Sequence, residues 1–241
     1  MLFLDRRDAG HRLASELMEF ADERPVIVAL PRGGVPVGVE VARALGAPLD
    51  ILAVRKLGAP GNPELGVGAV AEDGTAILDP QSAGMHGMTQ AMLEETLAVE
   101  SRELRRRVER YRDGRPSIPV SGRTVIVVDD GLATGLTDLA AVRALRKRGA
   151  RRIVVAVPVG SSEAVSMLAG EADRVVCLEI PRRLFGVGMW YRDFSPVSDE
   201  QVEALLAEAG RAETAPAAST EESGLTRTAG LRSEDALHRV R

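Results

Sequence analysis

Two hydrophobic patterns alternate along the chain. Short continuous apolar runs occur at 25–30, 49–54, 124–128, 152–157 and 174–178. Uninterrupted runs of this length, rich in Val and Ile, suit strands buried on both faces of a parallel sheet. Between them, apolar residues recur every three or four positions, as in Leu13, Ala14, Leu17, Met18 and Ala21. That spacing predicts a helix over 6–22, capped by Asp5. Further helices are predicted from Pro36 to a stop at Gly46, and over 137–148, 162–169 and 200–209, the last capped by Asp199. Leu93, Leu97, Leu104, Val108 and Tyr111 form the stripe of a helix over 89–112, roughly 35 Å long. Residues 57–66, LGAPGNPELG, hold three Gly and two Pro and are expected to be a loop. Asn62 and Glu64 are its strongly polar members, and it is a candidate lid. Residues 67–71 and 75–78 read as a hairpin turned at 72–74.

Strands that alternate with helices predict an α/β fold, a doubly wound, mostly parallel sheet flanked by helices. Ligands of such sheets gather at the carboxyl ends of the strands. From about residue 210 to 241 the composition shifts to Ala, Glu, Thr, Ser and Gly, which reads as a disordered tail after a domain over 1–209.

Composition narrows the functional classes. The 241 residues are 45% hydrophobic but only 3% aromatic, so Val, Ala and Leu carry the interior. A net charge of −4 argues against a chain built mainly to hold nucleic acid. The single Cys177 excludes an intrachain disulfide and, in a buried strand, reads as core. No apolar run approaches the ~20 residues needed to cross a bilayer, and MLFLDRRDAG is not a signal peptide. A soluble cytoplasmic protein is expected. His11, His86 and His238 stand far apart, so neither zinc nor histidine chemistry is indicated. Arg102, Arg105, Arg106, Arg107, Arg110 and Arg112 are interleaved with Glu100, Glu103 and Glu109, as on a solvated helix face; an RNA-contacting face is the sharper alternative.

The chemistry concentrates after the strands. Run 124–128 ends in Asp129 and Asp130, then Gly131, Leu132, Ala133, Thr134, Gly135, Leu136 and Thr137, then a helix. Glycines admit a ligand close to the backbone, the helix N-terminus attracts an anion, and the threonines supply hydroxyl donors. Two carboxylates beside them suit vicinal hydroxyls, directly or through a divalent cation. Phosphate and diol together describe a ribose 5-phosphate. There is no G-x-x-x-x-G-K-[ST], and 66–71 matches G-x-G-x-x-A without the strand and helix that motif needs.

VIVVDDGLATGLT resembles the phosphoribosyl pyrophosphate (PRPP) signature of type I phosphoribosyltransferases, and residues 1–209 fit that family's layout, with a long-helix insertion at 85–115 and a small hood at 181–196. The resemblance implies that Asp129 and Asp130 hold the ribose hydroxyls and that 131–137 hold the 5-phosphate. Two departures stand out. Gly131 occupies a position usually apolar, and Ala133 one where 6-oxopurine enzymes carry an acid.

The remaining strand ends gain meaning beside this motif. Arg32, Gly33 and Gly34 resemble the family's pyrophosphate loop, although alone they would read as an ordinary turn. Arg55 and Lys56 could neutralise a departing pyrophosphate or simply end a strand in solvent. Asp129, Asp130, Arg32 and Lys56 are thus the expected catalytic set. Phe185, Trp190, Tyr191 and Phe194 make up four of the seven aromatic residues. They form either a platform for a planar acceptor or a satellite core. Asp193 resembles a hood acid near metal-bound pyrophosphate. Mg²⁺ is expected on PRPP, with Asp129, Asp130 and Asp193 as candidate ligands. The implied activity moves ribose 5-phosphate from PRPP to an unidentified small acceptor. A non-catalytic PRPP or nucleotide regulator is the alternative, and a homodimer is an open option.

Overall fold

In a computed structural model of the chain, residues 2–214 are described. The expected parallel sheet is present, ordered β2-β1-β6-β7-β8. Its strands are β1 (Val26–Ala29), β2 (Leu49–Ile51), β6 (Thr124–Val128), β7 (Arg152–Val159) and β8 (Arg174–Glu179). All four pairings are parallel, with Val26 opposite Val125 and Val125 opposite Ile153.

Alternate residues of each strand serve opposite cores. Val125, Val127, Ile153 and Val155 pack on one face with α5 (Leu136–Lys147) and α6 (Ser162–Ala169). Ile126, Val128, Val154 and Ala156 face α1 (Arg6–Leu17) and α2 (Gly34–Leu45) on the other. Burial on both faces is what their unbroken apolar sequences anticipate. α1 ends five residues before the predicted stop, its last part tightening into a 3₁₀ turn over Met18–Glu23. α2 ends as expected at Gly46, whose φ of 57° suits glycine.

The expected loop 57–66 is instead the end of one strand and the start of the next, joined by a turn at 60–61. After Ile51 the chain leaves the parallel sheet and enters an antiparallel one of β3 (Val54–Ala59), β4 (Asn62–Ala71) and β5 (Ala76–Leu78). β5 pairs only with 68–70, so the start of β4, where its proline lies, has a free edge. Pro and Gly are tolerated at such edges and at bulges. The register does shift there, between Leu57 and Ala59. The hairpin turn at 72–74 stands as predicted. Arg55 and Lys56 therefore lie within β3 and not at the end of a parallel strand.

A short helix not predicted, α3 (Pro80–Met85), precedes α4 (Gln90–Arg112). The α4 stripe behaves as its spacing predicts. Leu93, Leu97, Leu104 and Val108 pack on Leu57, Val67 and Val70, while Tyr111 is buried against Val202 and Leu206 of α7 (Asp199–Thr214). The α7 cap is Ser198 rather than Asp199: Ser198 Oγ accepts from the Gln201 amide, and Gln201 Oε1 accepts from the Ser198 amide. Residues 210–214 continue this helix, where a tail was expected. The rest of that tail, 215–241 with His238, lies outside the described residues. No helix among the described residues is long and apolar enough to cross a membrane.

Candidate functional site

The carboxyl ends of β1 and β6 meet. The Leu30 amide donates to the Val128 carbonyl at 2.9 Å, and loop 31–34 then folds over Asp129 and Asp130. Its Pro31–Arg32 peptide is cis. A Cβ on Gly33 would lie 2.0 Å from Asp130 Oδ2, and one on Gly34 would lie 2.4 Å from the Val128 carbonyl oxygen. Only glycine fits at either position, and the two glycines seat the loop directly on the acid pair.

Beyond the acids, Leu132 is buried in the core and bridges β7. Its amide donates to Val159 O at 2.8 Å, and its carbonyl accepts from the Ser161 amide at 2.9 Å. Ser161 Oγ also donates to Ala133 O at 2.8 Å. This staple holds the turn that presents residues 133–137. The amides of Ala133, Thr134, Leu136 and Thr137 donate to no acceptor among the described residues. They open at the N-terminus of α5, where backbone donors and the helix dipole favour an anion.

Unused amides at 133–137, two carboxylates beside them and a glycine loop seated on those carboxylates meet in one site at the ends of β1 and β6. A family model described as phosphoribosyl transferase domain matches residues 5–192, which include every part of it. The chain belongs to the phosphoribosyl transferase domain family. It is 48% identical over 211 residues to two Mycobacterium tuberculosis proteins, of strains CDC 1551 / Oshkosh and H37Rv, each named "putative phosphoribosyl transferase". The match covers 87% of this chain but 47% of those proteins, so the chain spans about half the length of these curated relatives. The crystal structure of TT1426 from Thermus thermophilus is similar as well, with 49% identity and a TM-score of 0.73. That match covers 86% of this chain and 99% of TT1426.

Within this phosphoribosyl transferase domain, a side chain absent from the sequence reading occupies the centre of the crevice wall. Arg6, the first residue of α1, donates from Nε to Asp130 Oδ2 at 2.8 Å and from Nη1 to Ser195 O at 2.9 Å. Its guanidinium lies 3.9 Å from the centroid of the Phe194 ring. Main-chain pairing of Phe3 and Leu4 with 190–193 brings it there. Nothing local in Asp5-Arg6-Arg7-Asp8 signals this role.

Segment 181–196 divides the two readings of its aromatic residues. Tyr191 is buried between Phe3 and Phe194, with ring centroids 5.4 and 5.0 Å away, and its hydroxyl donates to Asp130 O at 2.6 Å. Trp190 packs partly buried on the same cluster. Tyr191, Trp190 and Phe194 thus follow the second of the two readings, a satellite core. Phe185, 81% exposed, does keep a free face. Val187 fills the space a Gly131 side chain would need, 2.6 Å from a Cβ there. That contact accounts for glycine where the family usually has an apolar residue.

The expected cations also separate. Arg55 is paired with Glu100 of α4 at 2.5 Å, so its charge is already met within the protein. Lys56, on the opposite face of β3 by strand alternation, is exposed, its stem lying over Gly66. Arg32 Nη1 approaches Asp199 Oδ1 at 3.5 Å, and the same oxygen accepts from the Tyr111 hydroxyl at 2.6 Å. Arg110 reaches Asp199 Oδ2 at 3.0 Å. α4 is thereby joined to the loop over the acids. The arginines of α4 are largely spent on carboxylates: Arg106 and Arg107 on Glu103, and Arg110 also on Glu200 and Glu203.

Charge at the site is uneven. Burial, with Asp138 and Asp130 nearby, raises the Asp129 carboxyl well above the ordinary carboxylate range. Asp130 is also raised by burial, although Arg6 opposes the shift. Asp138, in the first turn of α5, is fully buried with Oδ1 unpartnered, and burial lifts it to about 7. Its position was legible: Ala141, Val142 and Leu145, three, four and seven residues on, all face the core.

For Mg²⁺ the protein offers an incomplete donor set. Among the described residues no three His, Cys, Asp or Glu side chains cluster as metal ligands. Asp130 is engaged by Arg6. Asp193, expected as a third acid, is exposed and accepts from the Ser195 amide and hydroxyl at 2.9 and 2.6 Å. It lines a cavity of about 400 Å³ with Asp5, Arg6, Arg7 and Ser195. These residues fit a cation brought in on a ligand's own oxygens, with Asp129 beside it, and not a site preformed by protein.

Proposed function

We propose that the chain is a phosphoribosyltransferase that moves the ribose 5-phosphate of PRPP to a small nucleophilic acceptor and releases pyrophosphate. The observation that carries this reading is the facing pair of sites. The free amides of 133–137 would take the 5-phosphate, and loop 32–34 the pyrophosphate, with Asp129 and Asp130 between them to accept from the ribose hydroxyls. In the reaction the C1–O bond breaks and its electron pair leaves with pyrophosphate, while the acceptor's lone pair forms the new bond at C1. A proton carried by the acceptor is released. The chain's own residues supply positioning and charge: Arg32 and Lys56 approach the leaving group, and the carboxylates fix the ring as positive charge grows on it. Mg²⁺ on the pyrophosphate oxygens would supply further neutralisation of the departing charge. Phe185 is the free aromatic face available to a planar acceptor.

One observation favours the second reading, a PRPP-binding regulator. Arg32 and Arg55 both have carboxylate partners within the protein, which leaves less free charge for a leaving group. The test is to titrate PRPP calorimetrically and then assay pyrophosphate release with Mg²⁺, PRPP and a panel of nucleobases and other nucleophiles. Release with one acceptor supports the transferase, whereas binding without release from any supports the regulator. Asp129→Asn with Asp130→Asn should weaken PRPP binding by about 100-fold or more, the loss of two charged acceptors. Unchanged affinity would remove the site assignment.

A further inference from the structure

Arg6 does more at the crevice than fill it. Its side chain is 11% exposed and that of Asp130 is 16% exposed, so the ion pair between them is largely withdrawn from solvent. One oxygen of Asp130, Oδ2, is held on two sides: by Arg6 Nε and by the chain at Gly33. Oδ1 takes no hydrogen bond from another residue among the described ones. The backbone carbonyl of Asp130 is held in turn by the Tyr191 hydroxyl. The guanidinium suits this place because it is planar and gives donors in two directions while its face lies on an aromatic ring. A lysine would supply the charge without the stack or the second direction.

We propose that Arg6 is a positioning residue: it locks Asp130 Oδ2 so that Oδ1 faces the ribose hydroxyls, and it makes that setting depend on the seating of Phe194 and Ser195. The inference rests on the ribose-phosphate reading above. It also gives the N-terminal residues a task in ligand binding. Phe3 and Leu4 pair with 190–193, Arg6 follows within the same turn, and the acid it grips belongs to the central motif. The two ends of this phosphoribosyl transferase domain close on one carboxylate.

The test separates two probes that meet different parts of the crevice. Ribose 5-phosphate needs the hydroxyl acceptor, whereas pyrophosphate meets loop 32–34. Binding of each is measured calorimetrically to the full chain and to Arg6→Ala, Arg6→Lys and Phe194→Leu, with thermal melts of all four. The expected result for Arg6→Ala is about a tenfold loss for ribose 5-phosphate, with pyrophosphate within about twofold. Arg6→Lys and Phe194→Leu should show the same selective loss, smaller in size. Ethylguanidinium added to Arg6→Ala should restore ribose 5-phosphate binding, and ethylammonium should not. Equal losses for both probes would show a merely structural role and overturn the inference, as would wild-type ribose 5-phosphate affinity in Arg6→Lys and Phe194→Leu. If the unaltered chain binds pyrophosphate but no ribose 5-phosphate, the ribose-phosphate reading itself fails and takes this inference with it.

Discussion

Residues 129–137 are one uninterrupted stretch that sets two carboxylates beside a run of free backbone amides. The groups facing them come from distant parts of the chain: Arg6 from α1, Gly33 and Gly34 from the turn after β1, Tyr191 and Phe194 from the segment after β8, and Asp199 from α7. The charges differ in the same way. Asp129 in this stretch and Asp138 just after it have no cationic partner at hydrogen-bond distance among the described residues, and burial raises both above the ordinary carboxylate range. Acids that a group from elsewhere in the chain reaches are compensated. Asp130, in the same stretch, is paired with Arg6, and Asp199 of α7 is held below the usual range chiefly by the Tyr111 hydroxyl, which outweighs the opposing effect of burial with the help of Arg110. A contiguous motif can encode backbone donors and glycine clearances by itself. It cannot encode the partners of its charges, because the fold supplies those.

The largest test of this contrast is steric. Gly34→Ala puts a methyl group 2.4 Å from the Val128 carbonyl oxygen, a rigid part of β6, so the loop must move off the acids. Overpacking of this kind costs about 1–3 kcal/mol of stability. Pyrophosphate affinity should fall by about 100-fold, since misplaced donors lose most of their value. Thr134→Ala on the opposite side should lower ribose 5-phosphate affinity about threefold, one hydroxyl donor's worth, and leave pyrophosphate unaffected. Calorimetric titration of both probes into both variants checks this. Pyrophosphate binding that survives in Gly34→Ala but is lost in Thr134→Ala would reverse the assignment of the two sides.

A second test addresses the uncompensated charge. Asp138 sits near 7 in the folded chain, above the ordinary carboxylate value of 3.8. Between those values the folded state keeps a proton that the unfolded state has released, so stability falls as pH rises from about 4 to about 7 and then levels. The slope at its steepest is about 1.4 kcal/mol per pH unit for one such group. Asp129 is shifted in the same direction and adds to the fall. Asp138→Asn keeps the acceptor for the Thr137 hydroxyl and removes the titrating group. It should flatten the dependence and stabilise the chain at pH 8 relative to pH 4.5, as read from urea midpoints. A slope equal to that of the unaltered chain would show that the buried acid is compensated after all.

Much of the architecture was written locally. Unbroken runs such as Val125–Val128 marked strands buried twice, and the stripe from Leu93 to Tyr111 marked a helix packed along one side. The nest at 133–137 and the glycines at 33 and 34 were legible for the same reason, since each depends on neighbours in sequence. Loop 57–66 was misread because Gly and Pro signal breaks only where backbone pairing is required on both sides, and the start of β4 has one side free. Arg55 was misread because strand alternation turns it toward Glu100 on a helix 45 residues away. Arg6 carried no local signal at all. Its meaning depends on Asp130, 124 residues on, and on an aromatic ring beyond that.

The smallest expected effect concerns α4, which reaches Asp199 through the Tyr111 hydroxyl and Arg110. Tyr111 is buried, and burial first, then Asp199, lifts its phenol to about 12, so it remains a donor across the working range of pH. Its bond to Asp199 Oδ1 competes with Arg32 for the same oxygen. Tyr111→Phe should cost about 1.5–3 kcal/mol of stability, the usual range for a hydrogen bond to a charged acceptor. It should also leave Asp199 freer to hold Arg32 away from a ligand, lowering pyrophosphate affinity about twofold. Asp199→Asn acts in the opposite sense: it weakens the hold on Arg32 and should raise pyrophosphate affinity by a similar factor. Opposite signs in the two variants would mean that α4 sets how much of the Arg32 charge the crevice can use. Losses in both would mean that Asp199 orients Arg32 toward the ligand, and the facing side would then be preorganised in the same sense as the stretch it opposes.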